Sequence, residues 1–446
     1  MTKTIFITSF HAHISRNILA TDALSILKAE NNLRLVIVVP DYKIDYFKTH
    51  FGGGNVFIEG VPLYQASKKI SGLFFKRLSF FLFDSQTRRL KKRYKYYHDR
   101  KLFYFAVAMA LGFLSHFPLI RNGARFLDLR LASKEFFFPL IQKYSPDLVF
   151  STDVQNENDV ALLQAARLRG IPTIGMFRSW DNPTQSLLRI FPDKFFVGSD
   201  EVKRETVKLQ RYPAEKIIVT GNPHYDRYLS GPAKTKKDFF AEFNLDPNRK
   251  LILYAPVGDK SVYYNDIDQF IMEILGTIDA QILVRFPPVE TLTLNNFKKP
   301  DNMIFDRPGF VFRSEKFADR EIRPADDRRL VNSIYWSDLT VSGSASICLD
   351  AALLDKPVIS VNISPTRRHF FRTLYGYKFD HIQKLLGTGG VRSATSESEL
   401  LKAIQDYFHD SRRDAAGRAK IRSLWFSHAD GASSARLVHE LTSFSL

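Results

Sequence analysis

Hydrophobic runs alternate with amphipathic stretches along nearly the whole chain. Runs with the character of buried strands include Thr4–Phe10 ("TIFITSF"), Pro146–Asp153 ("PDLVFSTD") and Leu251–Val257 ("LILYAPV"). Stretches with helical spacing follow such runs, as at Ser15–Glu30 and Asp266–Ile278. This alternation is typical of α/β proteins with parallel sheets.

A polar stretch from about Tyr228 to Arg249 interrupts the alternation and is predicted to be a linker. The 446 residues exceed what one hydrophobic core usually serves. We therefore predict two Rossmann-like, doubly wound domains that face each other across a cleft. The predicted ranges are 1–230, 231–430 and a C-terminal helix over 431–446. Ligands of such sheets bind beyond the carboxyl ends of the strands, so residues that follow each strand are the site candidates.

A basic, aromatic-rich segment at about 65–145 is predicted to be an insertion of two or three helices in the N-terminal domain. Between Lys68 and Arg130, seven Lys and eight Arg stand against three Asp, a net charge of +12 within a chain total of +17. Basic helices with aromatic side chains can lie on an anionic membrane surface. The alternative is that the Phe side chains form core and the charges a solvated face. Nucleic acid is not expected, because no recognised binding module is present.

The rest of the composition favours a cytoplasmic protein attached peripherally to a membrane. The longest apolar run, Leu102–Leu114, is shorter than the roughly 20 residues that span a bilayer. The single cysteine, Cys348, excludes an intramolecular disulfide and fits a reducing compartment.

The first strand is followed by "SFHAHISRN" rather than by the glycine-rich turn of a dinucleotide site. His11 or His13 is a candidate general base, and Arg16 and Asn17 are candidate acceptor contacts. Alternatively, the histidines cap the helix or bind a loop. No Cys or carboxylate cluster accompanies them, so no metal site is expected.

Another strand ends in "RSWDNPTQ". There Trp180 is a candidate stacking surface for an acceptor, Asp181 a candidate base and Asn182 a hydrogen-bonding contact. The alternative is a structural turn around a half-buried Trp.

The C-terminal half holds the candidate nucleotide site. Gly258 lies in a turn whose amides can face a phosphate, and Arg285 ends a strand. The stretch "LTVSGSASICLDAALLDKPVISV" predicts a strand, a small-residue turn, a helix and a strand. Such a turn at a helix N-terminus favours an anion, and a carboxylate one turn further can accept from ribose hydroxyls. The alternative is an ordinary turn with Ser as N-cap. The candidates in this stretch are Ser342, Gly343, Ser344, Ser346 and Asp350.

Four stretches together carry a family resemblance: "GIPTIGMFRSWDN", "KIIVTGNPHYD", "SDLTVSGSASICLDAALLDKPVISV" and "HADGASSARLVHEL". With them the chain resembles nucleotide-sugar glycosyltransferases of the GT-B fold. It is most similar to the branch with CDP-glycerol glycerophosphotransferases and non-hydrolysing UDP-N-acetylglucosamine 2-epimerases. The resemblance runs from about Pro146 onward.

The resemblance implies that the C-terminal domain binds the nucleotide donor and the N-terminal domain the acceptor. It places Ser344 and Ser346 at the diphosphate and Asp350 at the ribose, where the family more often has Glu. It also implies no metal and no cofactor, because a helix N-terminus and basic side chains offset the charge of the leaving group.

The expected function is transfer of a sugar from a nucleotide-sugar to a hydroxyl of a lipid-linked or surface-glycan acceptor at a membrane. The glycerophosphotransferase branch usually has His-Pro after the second strand of the C-terminal domain, where this chain has Phe286-Pro287-Pro288. Glycerophosphate transfer and 2-epimerisation are therefore alternatives. A non-catalytic binding subunit is a further alternative.

Overall fold

The computed structural model describes residues 2–63, 68–259, 266–313, 320–343 and 345–444. The chain divides into two compact units. Unit 1 comprises Met1–Asp226 and His428–Leu446, and unit 2 comprises Arg227–Ser427. The division falls within the helix Pro223–Leu229, a few residues before the predicted boundary at 230/231.

Unit 1 is built on a parallel sheet that has seven strands among the described residues, in the order β3-β2-β1-β4-β5-β6-β7. Its strands are β1 (Lys3–Thr8), β2 (Leu33–Pro40), β3 (Val56–Val61), β4 (Leu148–Ser151), β5 (Thr173–Met176), β6 (Lys194–Val197) and β7 (Ile217–Val219). The order reverses between β1 and β4, so unit 1 has the strand reversal of a doubly wound fold there.

The predicted helix over Ser15–Glu30 is divided in the structure. A π-helical turn, Ser15–Leu19, precedes the helix Asp22–Ala29. The side chain of Thr21 accepts a hydrogen bond from the amide of Ala23 and so begins the second helix. The other helices of unit 1 outside the segment between β3 and β4 are Ala12–Ile14, Ile44–Phe51, Glu157–Leu168, Asp200–Glu205, the π-helical turn Thr206–Gln210 and Ser433–Thr442, with short 3-10 turns at Asp41–Lys43, Asn182–Thr184 and Ala214–Lys216. A further 3-10 turn, Glu135–Phe137, lies between β3 and β4.

The C-terminal helix belongs to unit 1. Leu437, Val438 and Leu441 are buried in the same hydrophobic cluster as Ile5 and Ile7 of β1. The helix therefore covers one face of the unit 1 sheet, although more than 400 residues separate it from β1.

We call the helical segment between β3 and β4 the insertion. The predicted two or three helices are four long ones and one short one in the structure: Ile70–Phe81, Gln86–Asp99, Leu102–Leu114, Pro118–Leu131 and Phe138–Tyr144. The breaks have local causes. Ser85 caps one helix, Arg100 has the left-handed conformation that ends it, and Pro118 begins another.

Among the described residues, no single helix is long and apolar enough to cross a membrane. Leu102–Leu114 and Pro118–Leu131 meet the criteria of length and composition only as a pair, with a bend of 109° between them.

Unit 2 repeats the architecture with a parallel sheet that has six strands in the described ranges, in the order β10-β9-β8-β13-β14-β15. Its strands are β8 (Leu251–Ala255), β9 (Gln281–Arg285), β10 (Met303–Asp306), β13 (Leu339–Ser342), β14 (Val358–Val361) and β15 (Arg392–Ala394); β11 (Phe310–Val311) and β12 (Arg320–Glu321) form a small antiparallel pair. The strand order reverses between β8 and β13. The predicted fold class, α/β with two Rossmann-like domains, is confirmed.

The helices of unit 2 are Lys236–Glu242, Ile267–Gly276, Pro324–Trp336, Ile347–Leu353, Asp380–Leu386, Glu397–His409 and Ala415–Trp425, with 3-10 turns at Phe370–Arg372 and Tyr375–Lys378. The predicted linker at Tyr228–Arg249 was wrong, because these residues belong to unit 2. Phe239 and Phe240 are buried there, and their apolar surface anchors the segment.

Candidate active site

In unit 1, a buried polar layer lies where the strand order reverses. The hydroxyls of Thr8 at the end of β1 and Thr152 after β4 are 3.1 Å apart. The carboxyl group of Asp159 accepts hydrogen bonds from the Ser151 hydroxyl, at 2.9 Å, and from the Thr8 hydroxyl. Burial, and then the neighbouring Asp153, raise the pKa of Asp159 to about 8. Asp159 therefore holds its proton at neutral pH.

Asp153 and Arg178 link β4 to the loop after β5. The buried Asp153 carboxylate forms an ion pair with the Arg178 guanidinium. The backbone carbonyl of Arg178 accepts a hydrogen bond of 3.0 Å from Asn17, whose side-chain oxygen accepts one of 3.0 Å from Arg16. The structure thus brings the predicted Arg16 and Asn17 to the loop that carries the predicted Trp180, Asp181 and Asn182.

His11 and His13 differ in what they can do chemically. His11 is the N-cap of Ala12–Ile14, and its Nδ1 accepts a hydrogen bond of 3.1 Å from the His13 amide. A neutral His11 ring therefore carries its proton on Nε2. The half-buried His13 ring lies 4.8 Å from that of His11. Burial, and then Arg16, Arg178 and His224, lower the pKa of His13 well below 6.5.

The Trp180–Asn182 loop is internally bonded. Asn182 is buried, accepts a hydrogen bond of 2.8 Å from the Ser179 amide and donates one of 2.8 Å to Gln155. Its amide therefore holds the loop together. Asp181 is half-buried and its Oδ2 accepts a hydrogen bond of 2.9 Å from Gln185. Trp180 packs against the sheet core with its indole partly exposed.

In unit 2, the small-residue turn follows β13. The hydroxyl of Ser342 is buried and donates a hydrogen bond of 2.7 Å to the carbonyl of Ala255 at the end of β8. A Cβ on Gly343 would lie 2.2 Å from the Val257 side chain, so only glycine fits there. Ser346 is exposed at the start of the helix Ile347–Leu353, and Asp350 is buried within it. The predicted Ser344 lies outside the described residues.

The backbone amides of the turn at Gly258 already bind a carboxylate of the protein itself. The amides of Val257 and Gly258 donate hydrogen bonds of 3.2 and 3.0 Å to the buried carboxylate of Asp268. The Tyr254 hydroxyl donates to the same carboxylate at 2.6 Å. The amide of Gly258, which was predicted to face a phosphate, therefore faces an internal carboxylate instead.

Arg285 was predicted to grip a phosphate, but the structure gives it a different environment. The side chain is buried, forms an ion pair with Asp306 and donates a hydrogen bond of 2.6 Å to the carbonyl of Asp326. Both terminal nitrogens are therefore engaged within unit 2, and the interpretation as a direct phosphate contact needs correction. The local pattern showed a strand-end Arg but could not show a carboxylate on the next strand.

Sequence reasoning did not select several polar residues on or next to the elements that carry these sites. Asp153 was detectable, because it follows β4 closely. Lys91, whose ammonium donates a hydrogen bond to the Gln185 side chain in the loop after β5, was not detectable, because on a basic helix it resembles its neighbours. Arg367 and Arg372 were also missed; they are exposed in the segment after β14. Leu374 of the same segment would lie 3.4 Å from a Cβ on Gly343. Among the described residues, no group of three or more His, Cys, Asp or Glu side chains is placed to hold a metal ion.

Comparison with known proteins adds to these observations. Residues 182–443 match the family model of CDP-glycerol:poly(glycerophosphate) glycerophosphotransferases, more than half of the chain. The chain belongs to this family. The resemblance predicted from the sequence is confirmed.

A curated relative is the teichoic acid poly(ribitol-phosphate) polymerase of Bacillus spizizenii, which is 21% identical over 259 residues. The alignment covers 56% of this chain and 37% of the polymerase, so the chain spans well under half of that relative.

Solved structures share the fold at low identity. The UDP-GlcNAc 2-epimerase of Neisseria meningitidis, bound to UDP-GlcNAc, has a TM-score of 0.54 at 13% identity, with 100% of both chains covered. The calicheamicin glycosyltransferase CalG4 has a TM-score of 0.51 at 11% identity, with 99% of this chain and 98% of that chain covered. The glycerophosphotransferase-family chain therefore shares the α/β fold of GT-B enzymes.

Proposed function

We propose that this protein transfers a group from a nucleotide-activated donor to an acceptor hydroxyl in the assembly of a cell-envelope polymer. The observation that carries the proposal is the family match over residues 182–443, which includes all of unit 2. The similarity to a poly(ribitol-phosphate) polymerase supports the same class of reaction.

The first candidate for the transferred group is a polyol phosphate carried on CDP, as the name of the family indicates. The second is a sugar carried on a nucleoside diphosphate. Phe286 favours the second, because it stands where the resemblance leads us to expect a His. Its ring packs 5.0 Å from that of Phe305 and lies 3.8 Å from the Arg307 guanidinium, so no proton-transfer group is present at this position.

Unit 2 is assigned to the donor. The turn after β13, with the exposed Ser346, is the proposed diphosphate contact, together with Ser344, and Asp350 is the proposed ribose contact. Because Arg285 is buried against Asp306, the exposed Arg367 and Arg372 are the better source of positive charge for the leaving group. Charge on the departing phosphate is then offset by these side chains. No metal or other cofactor is required.

Unit 1 is assigned to the acceptor, with Asp181 as the general base. The Nδ1 of His11 accepts a hydrogen bond from the His13 amide, and burial, followed by cationic neighbours, lowers the pKa of His13 and makes it a weak base. Asp181 has a half-buried carboxylate on the loop after β5. Arg16, Asn17 and Trp180 are the proposed acceptor contacts.

The proposed reaction accounts for every bond and proton with either of the two transferred groups. Asp181 takes the proton of the acceptor hydroxyl, whose oxygen attacks the donor. In polyol-phosphate transfer the new bond forms to the phosphorus that bears the polyol, the bond to the bridging oxygen breaks, and CMP leaves. In glycosyl transfer the new bond forms to the anomeric carbon, and the nucleoside diphosphate leaves. General-base help contributes about 10²–10⁴-fold.

The insertion is the proposed site of peripheral attachment to an anionic membrane surface. Exposed apolar side chains stand beside its excess of Lys and Arg, a combination that suits the interface of an anionic leaflet. They include Ile70, Phe74, Leu102, Phe103, Phe113, Phe117, Leu119 and Phe126, each at least half exposed.

The decisive experiment incubates the purified protein with CDP-glycerol or UDP-N-acetylglucosamine and with membranes from a bacterium whose envelope contains polyol-phosphate polymers. Release of CMP, with glycerophosphate entering the polymer fraction, supports the first candidate. Release of UDP, with the sugar incorporated, supports the second. Conversion of UDP-N-acetylglucosamine to an epimer without acceptor, or nucleotide binding without any product, contradicts the proposal. Chelation by EDTA is expected to leave the rate unchanged.

A further inference from the structure

The insertion is hydrogen-bonded to the loop that carries Asp181. The hydroxyl of Ser85, the N-cap of Gln86–Asp99, donates a hydrogen bond of 2.8 Å to the carbonyl of Thr184. The amide of Leu187 donates one of 3.0 Å to the carbonyl of Ser79 in the preceding helix. Ser79, Ser85 and Thr184 are buried, so water competes little for these bonds. The start of the helix and the loop therefore form one bonded assembly.

Within this assembly, Lys91 reaches Asp181 through one intermediate side chain. The Lys91 ammonium donates a hydrogen bond to the side-chain oxygen of Gln185. The amide nitrogen of Gln185 donates one of 2.9 Å to Oδ2 of Asp181. The ammonium can only donate and the carboxylate can only accept, so Gln185 is held in one orientation between them.

The charges around Lys91 support the same connection. Burial lowers the pKa of Lys91, Asp181 opposes this shift and Arg88 adds to it, so that the pKa lies at about 8. Burial raises the pKa of Asp153, its pairing with Arg178 opposes this, and Asp181 adds a smaller upward contribution. Lys91 is therefore a cation of the insertion whose charge is coupled to the Asp181 carboxylate.

We infer that Lys91 is a positioning residue for Asp181, which it orients through Gln185 and keeps ionised by its charge. This inference rests on the proposed function, in which Asp181 is the general base for the acceptor. It gives the insertion a role in the reaction in addition to the proposed contact with a membrane.

The chain offers a matched control at the next position. Lys92 is on the same helix and is buried, and burial also lowers its pKa to about 8. Its ammonium donates hydrogen bonds of 3.2 and 3.3 Å to the carbonyls of Phe81 and Phe83. Lys92→Met therefore removes a buried positive charge without touching Gln185 or Asp181.

The kinetic test compares Lys91→Met, Lys91→Arg and Lys92→Met in the full chain. Lys91→Met is expected to lower kcat by about tenfold with little change in KM, less than the ~10²–10⁴-fold effect of losing a general base. It should also move the acid limb of the kcat/KM profile to higher pH, because an unpaired carboxylate takes up a proton more readily. Lys91→Arg should restore most of the rate, and Lys92→Met should leave the acid limb in place. The inference would be overturned if Asp181→Asn were slow while Lys91→Met kept the rate and the pH profile of the wild type.

A second measurement does not depend on activity. Lysines are labelled with acetic anhydride over a range of pH and quantified residue by residue by mass spectrometry, in the wild type and in Asp181→Asn. The pH midpoint for Lys91 should fall in the variant, because a charge that favours its ammonium form is gone, whereas that of Lys92 should stay. An unchanged midpoint for Lys91 would refute the contact. If the Lys91 midpoint falls in Asp181→Asn but the wild type shows no transfer activity, the contact stands and the proposed function is refuted.

Discussion

The carboxylate of Asp226 accepts a hydrogen bond of 2.8 Å from the backbone amide of Ser434, 208 positions later in the chain. It accepts a second one, of 3.1 Å, from the amide of Ser433. The last residue of the first segment of unit 1 thus caps the C-terminal helix, whose apolar face covers the sheet. This cap joins the two segments of unit 1.

Replacement of Asp226 is expected to loosen that helix. Asp226→Ala should cost about 0.5–2 kcal/mol, the range for losing a side chain that accepts hydrogen bonds from the first amides of a helix. Hydrogen exchange over residues 433–442 measures the effect directly. Asp430→Ala is a second probe of the same helix, because its exposed side chain accepts a hydrogen bond from the Ala432 amide and pairs with Arg436 of that helix. Equal protection in the wild type and in Asp226→Ala would contradict the assigned cap.

The raised pKa of Asp159 gives the stability of unit 1 a defined pH dependence. Between pH 6.5 and about 8 the folded state keeps a proton that the unfolded chain has released, so the unfolding free energy should fall as the pH rises. The lowered pKa of His13 has the opposite effect, since it makes the unfolding free energy rise with pH, mainly below pH 6.5. Thermal unfolding of Asp159→Asn should be less dependent on pH in this window, whereas Asp147→Asn, at an exposed position, should behave like the wild type.

The ion pair of Arg285 with Asp306 predicts an effect on stability rather than on binding. Arg285→Met should lower the unfolding free energy by less than the about 3–5 kcal/mol of an unpaired buried charge, because Asp306 keeps its ion pair with Arg329. The double variant with Asp306→Leu should be less destabilised than the sum of the two single variants. Lys250→Met, which breaks the exposed pair with Asp338, should cost no more than about 1 kcal/mol in the same denaturant titration.

The proposed donor site predicts selective losses of nucleotide affinity. Ser346→Ala removes an exposed hydroxyl at the turn and should weaken CDP or UDP binding by about 0.5–1.5 kcal/mol. Ser342→Ala is the matched control, because its buried hydroxyl is bonded to Ala255 and should affect stability alone. Calorimetric titration of both variants measures this difference. Equal affinity in Ser346→Ala and the wild type would remove Ser346 from the site.

The exposed apolar side chains of the insertion predict binding to anionic vesicles. Phe103 and Phe113 are 83% and 67% exposed, so replacement of both by Ser should leave the fold intact and weaken co-sedimentation with phosphatidylglycerol vesicles. Phe57→Ser, at a 44% exposed position on β3, is the control outside the insertion. Binding that persists in the double variant, or that is equal on phosphatidylcholine vesicles, would argue against this surface.

Some features of the sites were predictable from local patterns. Strand-end positions made His13, Arg16, Asp181 and Ser346 site candidates, because parallel strands place the residues that follow them at one edge of a sheet. The pattern could not show which of these side chains are engaged internally. Gly258 illustrates this, since its amide donates a hydrogen bond to the carboxylate of Asp268 on the next helix.

The sequence by itself determined the α/β class, the two Rossmann-like units and the basic insertion, because the spacing of apolar residues dictates which faces are buried. The family resemblance came from four motifs rather than from this spacing. Only the tertiary structure decided that Arg285 is paired, that Lys91 reaches Asp181 through Gln185, and that the last helix returns to the first unit. These features depend on contacts between residues far apart in the chain, and folding alone brings such residues together.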